Sequence, residues 1–367
     1  MEQDRSGFRT RLTDHLPVAV TTTLGLFLVS DGVADGPYLK GHRVTAFLQS
    51  GSAYLAATVG QGGEVAIWCS DDDGQSWSEH ALGASDIESG PGPRQVLQLQ
   101  HDAGAPSAAA VRPFYVGIEP AGMLRSVDGT SFDQVGTLED NFDRTGWESK
   151  AGEGINTVLT HVDRPGRIIV AAGGAGVYRS DDGGGTWQAR NGGIAMRSVD
   201  GTDLAARHVY KVAFDASGPD CVFAQTDTGT YRSDSAGDSW TSVGRSGEVG
   251  GLPSDFGYAV AGHPIVPGTA YVFPLESKAY PCNPGGRPRV YRTTDCGLSW
   301  EALGVGLPAV NAHLTVLPDA LAIGPTSPFP IVFGTTSGQL FASVDQGEEW
   351  RLVASGLPPV LCIRVLD

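Results

Sequence analysis

The sequence predicts an all-β protein, a seven-bladed β-propeller built from four-stranded antiparallel blades. Three observations lead to this prediction. The 367 residues include 51 Gly and 23 Pro, which indicates many short elements joined by turns rather than long helices. A short polar and aromatic pattern recurs at intervals of 50 to 60 residues, and alternating apolar runs precede its copies.

The recurring pattern approximates Ser-x-Asp-x-Gly-x-Ser/Thr-Trp. Its five clear copies read SDDDGQSW from Ser70, SDDGGGTW from Ser180, SDSAGDSW from Ser233, TTDCGLSW from Thr293 and SVDQGEEW from Ser343. A shortened copy, SVDGTSF, begins at Ser126, and a remnant, SDG, begins at Ser30. Together they give seven units, and a fixed period of this size is typical of a repeat architecture.

Each unit has room for four strands. The runs GVYRS, GTYRS and RVYRT lie directly before copies of the pattern, and runs such as RIIVAAGG lie just upstream. A third run further upstream and a short one after the Trp complete four, because runs rich in Val, Ile, Tyr and Phe bounded by Gly and Pro are typical of strands. The first unit lacks its innermost run. We therefore expect the C-terminal run PVLCIRVL to complete the first blade and close the ring.

Taken alone, one copy of the pattern suggests a metal site at its Asp pair, a nucleophile at Thr186 or a phosphate cradle at its glycines. Repetition favours a structural turn instead, in which Ser and Asp bond turn amides, Gly takes a positive φ and Trp packs between blades. The residues predicted to hold these turns are Ser70, Asp72, Gly74, Trp77, Ser180, Asp182, Gly184, Trp187, Asp295, Gly297, Trp300, Asp345, Gly347 and Trp350.

The pattern resembles the Asp-box, or BNR repeat, of sialidases, sortilin-type receptors and single-domain bacterial proteins loosely described as glycosyl hydrolases. The resemblance extends from Val18 to Asp367 and includes the phrase GLP at three positions. It implies a propeller in which each box forms the hairpin between the third and fourth strands of a blade. It does not imply one activity, since this fold serves hydrolases, receptors and assembly factors. The Arg-Ile-Pro motif of sialidases is missing, so we do not expect sialidase activity.

Charge and termini restrict the partners. Acidic side chains outnumber basic ones by 41 to 25, and the net charge of −16 disfavours nucleic acid. The first residues lack the apolar core of a secretory signal and no apolar run is long enough to cross a bilayer, so we expect a cytoplasmic protein without a membrane partner. The five scattered cysteines indicate reduced thiols. We expect residues 1–17 to form an N-terminal extension and residues 18–367 a single, monomeric propeller domain.

Propeller sites usually lie over the central channel, on the face where the loops that lead into each blade converge with the loops between second and third strands. These loops contain an unusually polar set of residues. Those predicted to be catalytic are Glu119, Asp227, Glu276, His208 and Tyr210. Those predicted to bind a small-molecule ligand in the channel are His42, Lys40, Trp147, Arg207, His313 and Lys278.

Three functions are compatible with these residues. The first is a hydrolase or lyase that acts on a sugar-like molecule or secondary metabolite at the channel mouth, because paired carboxylates hydrolyse glycosides and His with a carboxylate transfers protons near neutral pH. The second is a non-catalytic propeller that binds a protein. The third is a metal-dependent, lactonase-like hydrolase, which needs several of these groups to converge on one ion. We expect no cofactor under the first two hypotheses, and a divalent metal under the third.

Overall fold

The computed structural model describes residues 16–83, 86, 92–105, 111–136, 154–195, 197–199, 202–206 and 208–367. Seven four-stranded antiparallel sheets are arranged as the blades of a β-propeller, which confirms the predicted fold class. The predicted N-terminal extension lies almost entirely outside the described residues. No helix in the described part of the chain is long and apolar enough to cross a membrane.

The described residues form thirty strands. In chain order they are β1 (Val18–Thr22), β2 (Gly25–Ser30), β3 (Val33–Tyr38), β4 (Arg43–Ser50), β5 (Ala53–Val59), β6 (Val65–Ser70), β7 (Ser78–Leu82), β8 (Gln95–His101), β9 (Phe114–Glu119), β10 (Gly122–Ser126), β11 (Asp133–Gln134), β12 (Ile155–Thr160), β13 (Ile168–Ala172), β14 (Gly176–Ser180), β15 (Gln188–Ala189), β16 (Arg197–Val199), β17 (Thr202–Ala206), β18 (Val209–Phe214), β19 (Val222–Thr226), β20 (Thr230–Ser233), β21 (Thr241–Ser242), β22 (Gly257–Gly262), β23 (Ala270–Pro274), β24 (Val290–Thr293), β25 (Glu301–Leu303), β26 (Leu321–Ile323), β27 (Ile331–Gly334), β28 (Leu340–Ser343), β29 (Arg351–Ala354) and β30 (Val360–Val365). A 3-10 turn covers Pro284–Gly286.

The blades follow one another along the chain. Blade 1 contains β1–β3 together with β30, and blades 2, 3 and 4 contain β4–β7, β8–β11 and β12–β15. Blades 5, 6 and 7 contain β18–β21, β22–β25 and β26–β29, while β16 and β17 form a separate hairpin between blades 4 and 5. The inner strands contact one another in the ring order β30, β4, β8, β12, β18, β22 and β26.

The central channel has two distinct faces. In blades 2–7 the chain enters at the inner strand and proceeds outward, so the inner strands share one direction. We call the face where these strands end the turn face, because the turns to the second strands and the repeated turns lie there. The opposite face, which carries the loops leading into each blade and the loops between second and third strands, is the loop face.

The two ends of the chain close the ring, as predicted. Strand β30 pairs antiparallel with β1, with Val18 opposite Val365 at one end of the ladder. Val360, Cys362 and Ile363 of β30 are fully buried. The C-terminal strand is thus the inner strand of blade 1, and it removes an edge that would otherwise be open to pairing with another chain.

The repeated turns are held by their own side chains. Ser180 Oγ donates to Asp182 Oδ1 at 2.7 Å and accepts from the Gly184 amide at 2.8 Å, while the two Asp182 oxygens accept from Thr186 N and Oγ1 at 2.8 and 2.7 Å. These bonds, led by that from the Thr186 backbone, lower the pKa of Asp182 to about 2. Gly184 has a φ of +98°, and Trp187 Nε1 donates to its carbonyl at 3.0 Å.

Other copies repeat this geometry. The Ser or Thr hydroxyl donates to the Asp at 2.8 Å in the copies that begin at Ser70, Thr293 and Ser343, and it accepts from the Gly amide at 2.8 to 2.9 Å. Trp300 Nε1 instead donates to the Val243 carbonyl of the preceding blade at 2.7 Å. None of these turn residues lines either of the channel cavities described below.

Candidate ligand-binding site in the central channel

The described inner strands enclose two cavities in the channel. The turn-side cavity, of about 410 Å³, has the polar lining residues Gln98, Gln100, His161, Lys211, Asp215, His263, Asp319 and Arg364. The loop-side cavity, of about 180 Å³, is lined by Arg43, Thr45, Gln95, Leu97, Asn156, Tyr210, Leu317, Pro318, Asp319 and Leu361. Small-molecule sites usually have a volume of roughly 300 to 1,000 Å³, so the turn-side cavity has the size of a ligand site.

A repeated irregularity in the inner strands forms the loop-side cavity. One residue is skipped in the pairing of β4, β8, β12, β18 and β30 with the neighbouring strand, and the skipped residues are Thr45, Leu97, Asn156, Tyr210 and Leu361. All five line the loop-side cavity. A β-bulge redirects its side chain in this way.

Three charged side chains meet in the turn-side cavity. Lys211 Nζ contacts Asp319 Oδ1, and Arg364 Nη2 lies 3.5 Å from the same oxygen. The side chains of Lys211, Asp319 and Arg364 are 12%, 10% and 24% exposed, so solvent screens them weakly. Burial disfavours the Asp319 carboxylate, but the charges of Lys211 and Arg364 outweigh burial and hold its pKa below the usual value. The trio therefore carries one net positive charge.

The second carboxylate of the turn-side cavity is already neutralised. Asp215 Oδ2 accepts from Arg232 at 3.0 and 3.3 Å, and Oδ1 accepts from the Gly268 amide at 2.8 Å and from Ser217 N and Oγ at 3.0 and 3.1 Å. Its side chain is fully buried. Asp215 thus joins blades 5 and 6 and adds no net charge to the cavity.

Two histidines stand at the turn-face end of the cavity. His263 Nδ1 accepts from the Ile265 and Val266 amides at 3.2 and 3.1 Å, and His161 Nδ1 accepts from the Asp163 amide at 3.1 Å. The proton of each neutral ring therefore lies on Nε2. Burial lowers the pKa of His263, which keeps this ring neutral.

Gln98 adds a further donor to the turn-side cavity. Gln98 is almost fully buried, and its Oε1 accepts from the Val158 amide at 2.7 Å, which leaves its NH₂ group as the available donor. Gln100, two residues along β8, also lines the cavity. With Lys211, Arg364 and the histidine Nε2 protons, hydrogen-bond donors outnumber available acceptors.

Polar groups of the loop-side cavity mostly bond to the protein itself. Asn156 Nδ2 donates to the Val209 carbonyl at 3.0 Å, and Thr45 Oγ1 donates to the Ala57 carbonyl at 3.4 Å. Gln95 Nε2 donates to Glu119 Oε2 at 2.5 Å. This cavity therefore offers a ligand fewer free polar groups than the turn-side cavity does.

One group of residues predicted to be functional lies together at the loop face. Tyr210 lines the loop-side cavity and packs edge-on against Tyr258 at 4.8 Å. The His208 ring stacks against Tyr210 at 6.4 Å, and the Asp227 amide donates to the His208 carbonyl at 3.1 Å. Their role as catalytic residues stays a prediction.

Glu119, at the end of β9, lies just outside the loop-side cavity. In addition to Gln95, it contacts Arg94 Nη2 at 3.3 Å. Its carboxylate is therefore bound by a cation and an amide.

The other predicted residues lie away from both cavities or outside the described part of the chain. Glu276, Lys278 and His313 are exposed; Glu276 accepts from the Gly285 amide at 3.1 Å, and His313 Nδ1 lies 3.1 Å from the Tyr280 hydroxyl. His42 packs edge-on against Trp68 at 5.6 Å, and Lys40 is exposed. Trp147 and Arg207 lie outside the described residues.

Sequence reasoning missed the charged trio because it considered the loops alone. Lys211, Asp319 and Arg364 stand within the apolar runs HVYKVAFD, LPDALAI and LCIRVL. A charge inside such a run is the signal that could have found them, since a charged residue in an inner strand must face the channel or be paired.

Among the residues that the structure describes, no group of three or more His, Cys, Asp or Glu side chains is arranged to hold a metal ion. The donor-rich lining of the turn-side cavity is likewise unsuited to a cation, because metal ions need lone-pair acceptors.

No protein-family model and no curated protein matches the chain. Several solved structures are similar to it. The GH74 xyloglucanase from Xanthomonas campestris is 17% identical with a TM-score of 0.61 over 94% of this chain and 53% of its own. A Bacteroides fragilis protein provisionally assigned as a 6-phosphogluconolactonase is 9% identical with a TM-score of 0.57 over 96% and 98% of the two chains. YCF48 bound to D1 peptide is 14% identical with a TM-score of 0.51 over 85% and 81%.

This chain thus spans about half the length of the xyloglucanase that it resembles. All three proteins differ from it at more than four positions in five. At such distances the likeness establishes the β-propeller fold and leaves the activity open.

Proposed function

We propose that this protein binds a small, hydroxylated anion in the turn-side cavity. The observation that carries the proposal is the charged trio: Lys211 and Arg364 share one carboxylate, that of Asp319, inside a cavity of about 410 Å³. The chain as a whole has a net charge of −16. The positive charge of the trio attracts an anion into the cavity, whereas the net negative charge of the protein repels an anion elsewhere.

Hydrogen bonding supports the same class of ligand. The amide of Gln98, the imidazole of His263 and the two cations present donors, whereas the Asp215 carboxylate is saturated by protein groups. A ligand rich in oxygen acceptors would pair these donors, and buried donors without a partner are costly. Sugar acids and related hydroxy acids have this chemistry.

Catalysis at the loop face by carboxylates and histidines stays a prediction. In the turn-side cavity, Lys211 and Arg364 hold the pKa of Asp319 below its usual value, and an ionised carboxylate does not suit a general acid. Binding therefore has the stronger support. The similarity in fold to a xyloglucanase and to a provisionally assigned 6-phosphogluconolactonase is compatible with a carbohydrate-derived ligand.

Isothermal titration with gluconate and with neutral glucose tests the proposal. We expect gluconate to bind the wild-type protein and glucose to bind at least about tenfold more weakly, which corresponds to about 1.4 kcal/mol. Lys211→Met should lose gluconate binding by a similar factor. Lys278→Met is the matched control, because Lys278 is exposed on the segment between β23 and β24, and it should bind as the wild type does. Equal binding by Lys211→Met and the wild type would overturn the proposal.

A further inference from the structure

The charges of the turn-side cavity can be counted residue by residue. Lys211 and Arg364 contribute two positive charges and Asp319 one negative charge, and the three side chains contact one another. Asp215 and Arg232 form a separate buried pair through bonds of 3.0 and 3.3 Å. Arg232 also contacts Asp234, but the Asp234 side chain is 67% exposed and lies outside the cavity lining, so solvent screens its charge. The sum over the five buried groups is plus one.

His263 leaves this sum unchanged at neutral pH, because burial lowers its pKa. The Nδ1 atom of His263 accepts two backbone amide protons, so a proton there would abolish both bonds. Nδ1 of His161 accepts from the Asp163 amide in the same manner. The His263 ring acts as a neutral donor through Nε2.

A ligand with one negative charge balances the cavity. Two charges would leave an unpaired negative charge beside side chains that are mostly buried, and buried unpaired charge is expensive. A phosphate monoester carries about −1.5 to −2 charges at neutral pH, whereas a carboxylate carries one. We propose that the turn-side cavity selects a hydroxycarboxylate over a phosphate monoester of similar size; this inference rests on the proposed function above.

The arrangement of the cations suits the two oxygens of a carboxylate. Lys211 Nζ and Arg364 Nη2 both approach the same atom, Asp319 Oδ1, and both side chains line the turn-side cavity. The ammonium group has three donors and the guanidinium five, and one acceptor cannot satisfy them all. Gln98 lines the same cavity and supplies a further donor for a ligand hydroxyl.

Asp319 is the residue that sets this selectivity. It lowers the charge of the cavity from plus two to plus one and does so from a position that lines both cavities. Without its carboxylate, the two cations would suit a doubly charged ligand. Asp319 thus acts as a specificity determinant by its charge, in addition to its contacts with Lys211 and Arg364.

Isothermal titration at neutral pH with gluconate, glucose 6-phosphate and glucose tests the inference. We expect the wild-type protein to bind gluconate at least about tenfold more tightly than glucose 6-phosphate. In Asp319→Asn, the ratio should shift by about tenfold or more toward glucose 6-phosphate. Asp163→Asn is the control of equal charge change, because the Asp163 side chain is 70% exposed beside His161, and it should leave the ratio unchanged.

The outcomes separate the two proposals. If neither anion binds the wild-type protein, the proposed function is wrong, and the inference about selectivity is wrong as well. If glucose 6-phosphate binds the wild type as tightly as gluconate or more tightly, anion binding stands and the inference is wrong. An unchanged ratio in folded Asp319→Asn also overturns it. If circular dichroism shows that this variant is unfolded, two other results test the inference. The wild-type protein must bind gluconate more tightly than glucose 6-phosphate, and Lys211→Met must lose the preference for gluconate over glucose; failure of either result overturns the inference.

Discussion

The two ends of the channel use the same strands for different purposes. On the loop side, bulged residues such as Asn156 donate to neighbouring backbone carbonyls, whereas on the turn side the groups of Lys211 and Gln98 remain available. Consecutive residues of β18, Tyr210 and Lys211, line the loop-side and turn-side cavities respectively. Consecutive residues of a regular strand face opposite ways, so the bulge is what brings both into the channel.

Removing the central carboxylate should cost far more stability than removing the one at the loop side. Asp319→Ala leaves two cations in the channel without their counter-ion, and breaking a buried ion pair costs about 3–5 kcal/mol. Glu119→Ala should cost about 1 kcal/mol, because its partner Arg94 is 47% exposed. Urea unfolding of both variants measures the difference. Equal losses would show that the two ends are electrostatically alike.

Tyr210→Ala should destabilise the protein by about 2 kcal/mol, since it removes a half-buried ring that packs against Tyr258 and Phe256. Tyr210→Phe keeps the ring and should change stability much less. Gluconate should bind both variants as it binds the wild type. A loss of gluconate binding in Tyr210→Phe would show that the two cavities act as one site.

The contribution of the Asp319 charge should depend on pH in a defined direction. Its folded-state pKa is lowered, and the unfolded value is about 3.9. The stability it provides is therefore complete above the unfolded value and disappears as pH falls through the folded-state pKa. The difference in unfolding free energy between the wild type and Asp319→Asn should be constant from neutral pH to about pH 5 and shrink in stronger acid. A difference that grows in acid would contradict the lowered pKa.

The smallest effect is expected far from the channel. Asp295→Ala removes hydrogen bonds of 2.8, 2.9 and 2.6 Å from Thr293 Oγ1, Ser299 N and Ser299 Oγ in one repeated turn, which should cost about 1 kcal/mol. Gluconate affinity should not change, because this turn lines neither cavity. Urea unfolding and isothermal titration of one preparation check both statements.

The fold could be predicted because the same turn pattern and apolar runs recur along the chain. Each copy of the turn pattern fixes one hairpin, and the spacing of the copies fixes the blade; a single copy such as SVDGTSF would not have sufficed. The closure by β30 followed from counting runs, since one blade lacked its inner strand. Each repeated turn is held by hydrogen bonds between residues within eight positions of one another, so the residues that form it can be recognised in the sequence alone.

The channel could not be predicted in the same way because its residues occur once each. Lys211, Asp319 and Arg364 come from blade 5, from the segment before blade 7 and from the end of the chain, and no local pattern links them. The bulge at Tyr210 also breaks the alternation of side chains between the two faces of a strand, from which their orientation is predicted in a sequence. Glu276 and His313 show the converse: they are polar loop residues whose partners lie in their own or an adjacent loop.

The closing strand has a consequence for the order of assembly. Strand β30 is synthesised after all the other blade strands and carries Arg364, so a nascent chain can fold blades 2–6 before the complete trio of Lys211, Asp319 and Arg364 exists. The trio then appears at the moment the ring closes. A ligand that binds the trio would stabilise the closed ring, because it binds the closed ring and not the open one, and this stabilisation would grow with the logarithm of the ligand concentration once that exceeds the dissociation constant.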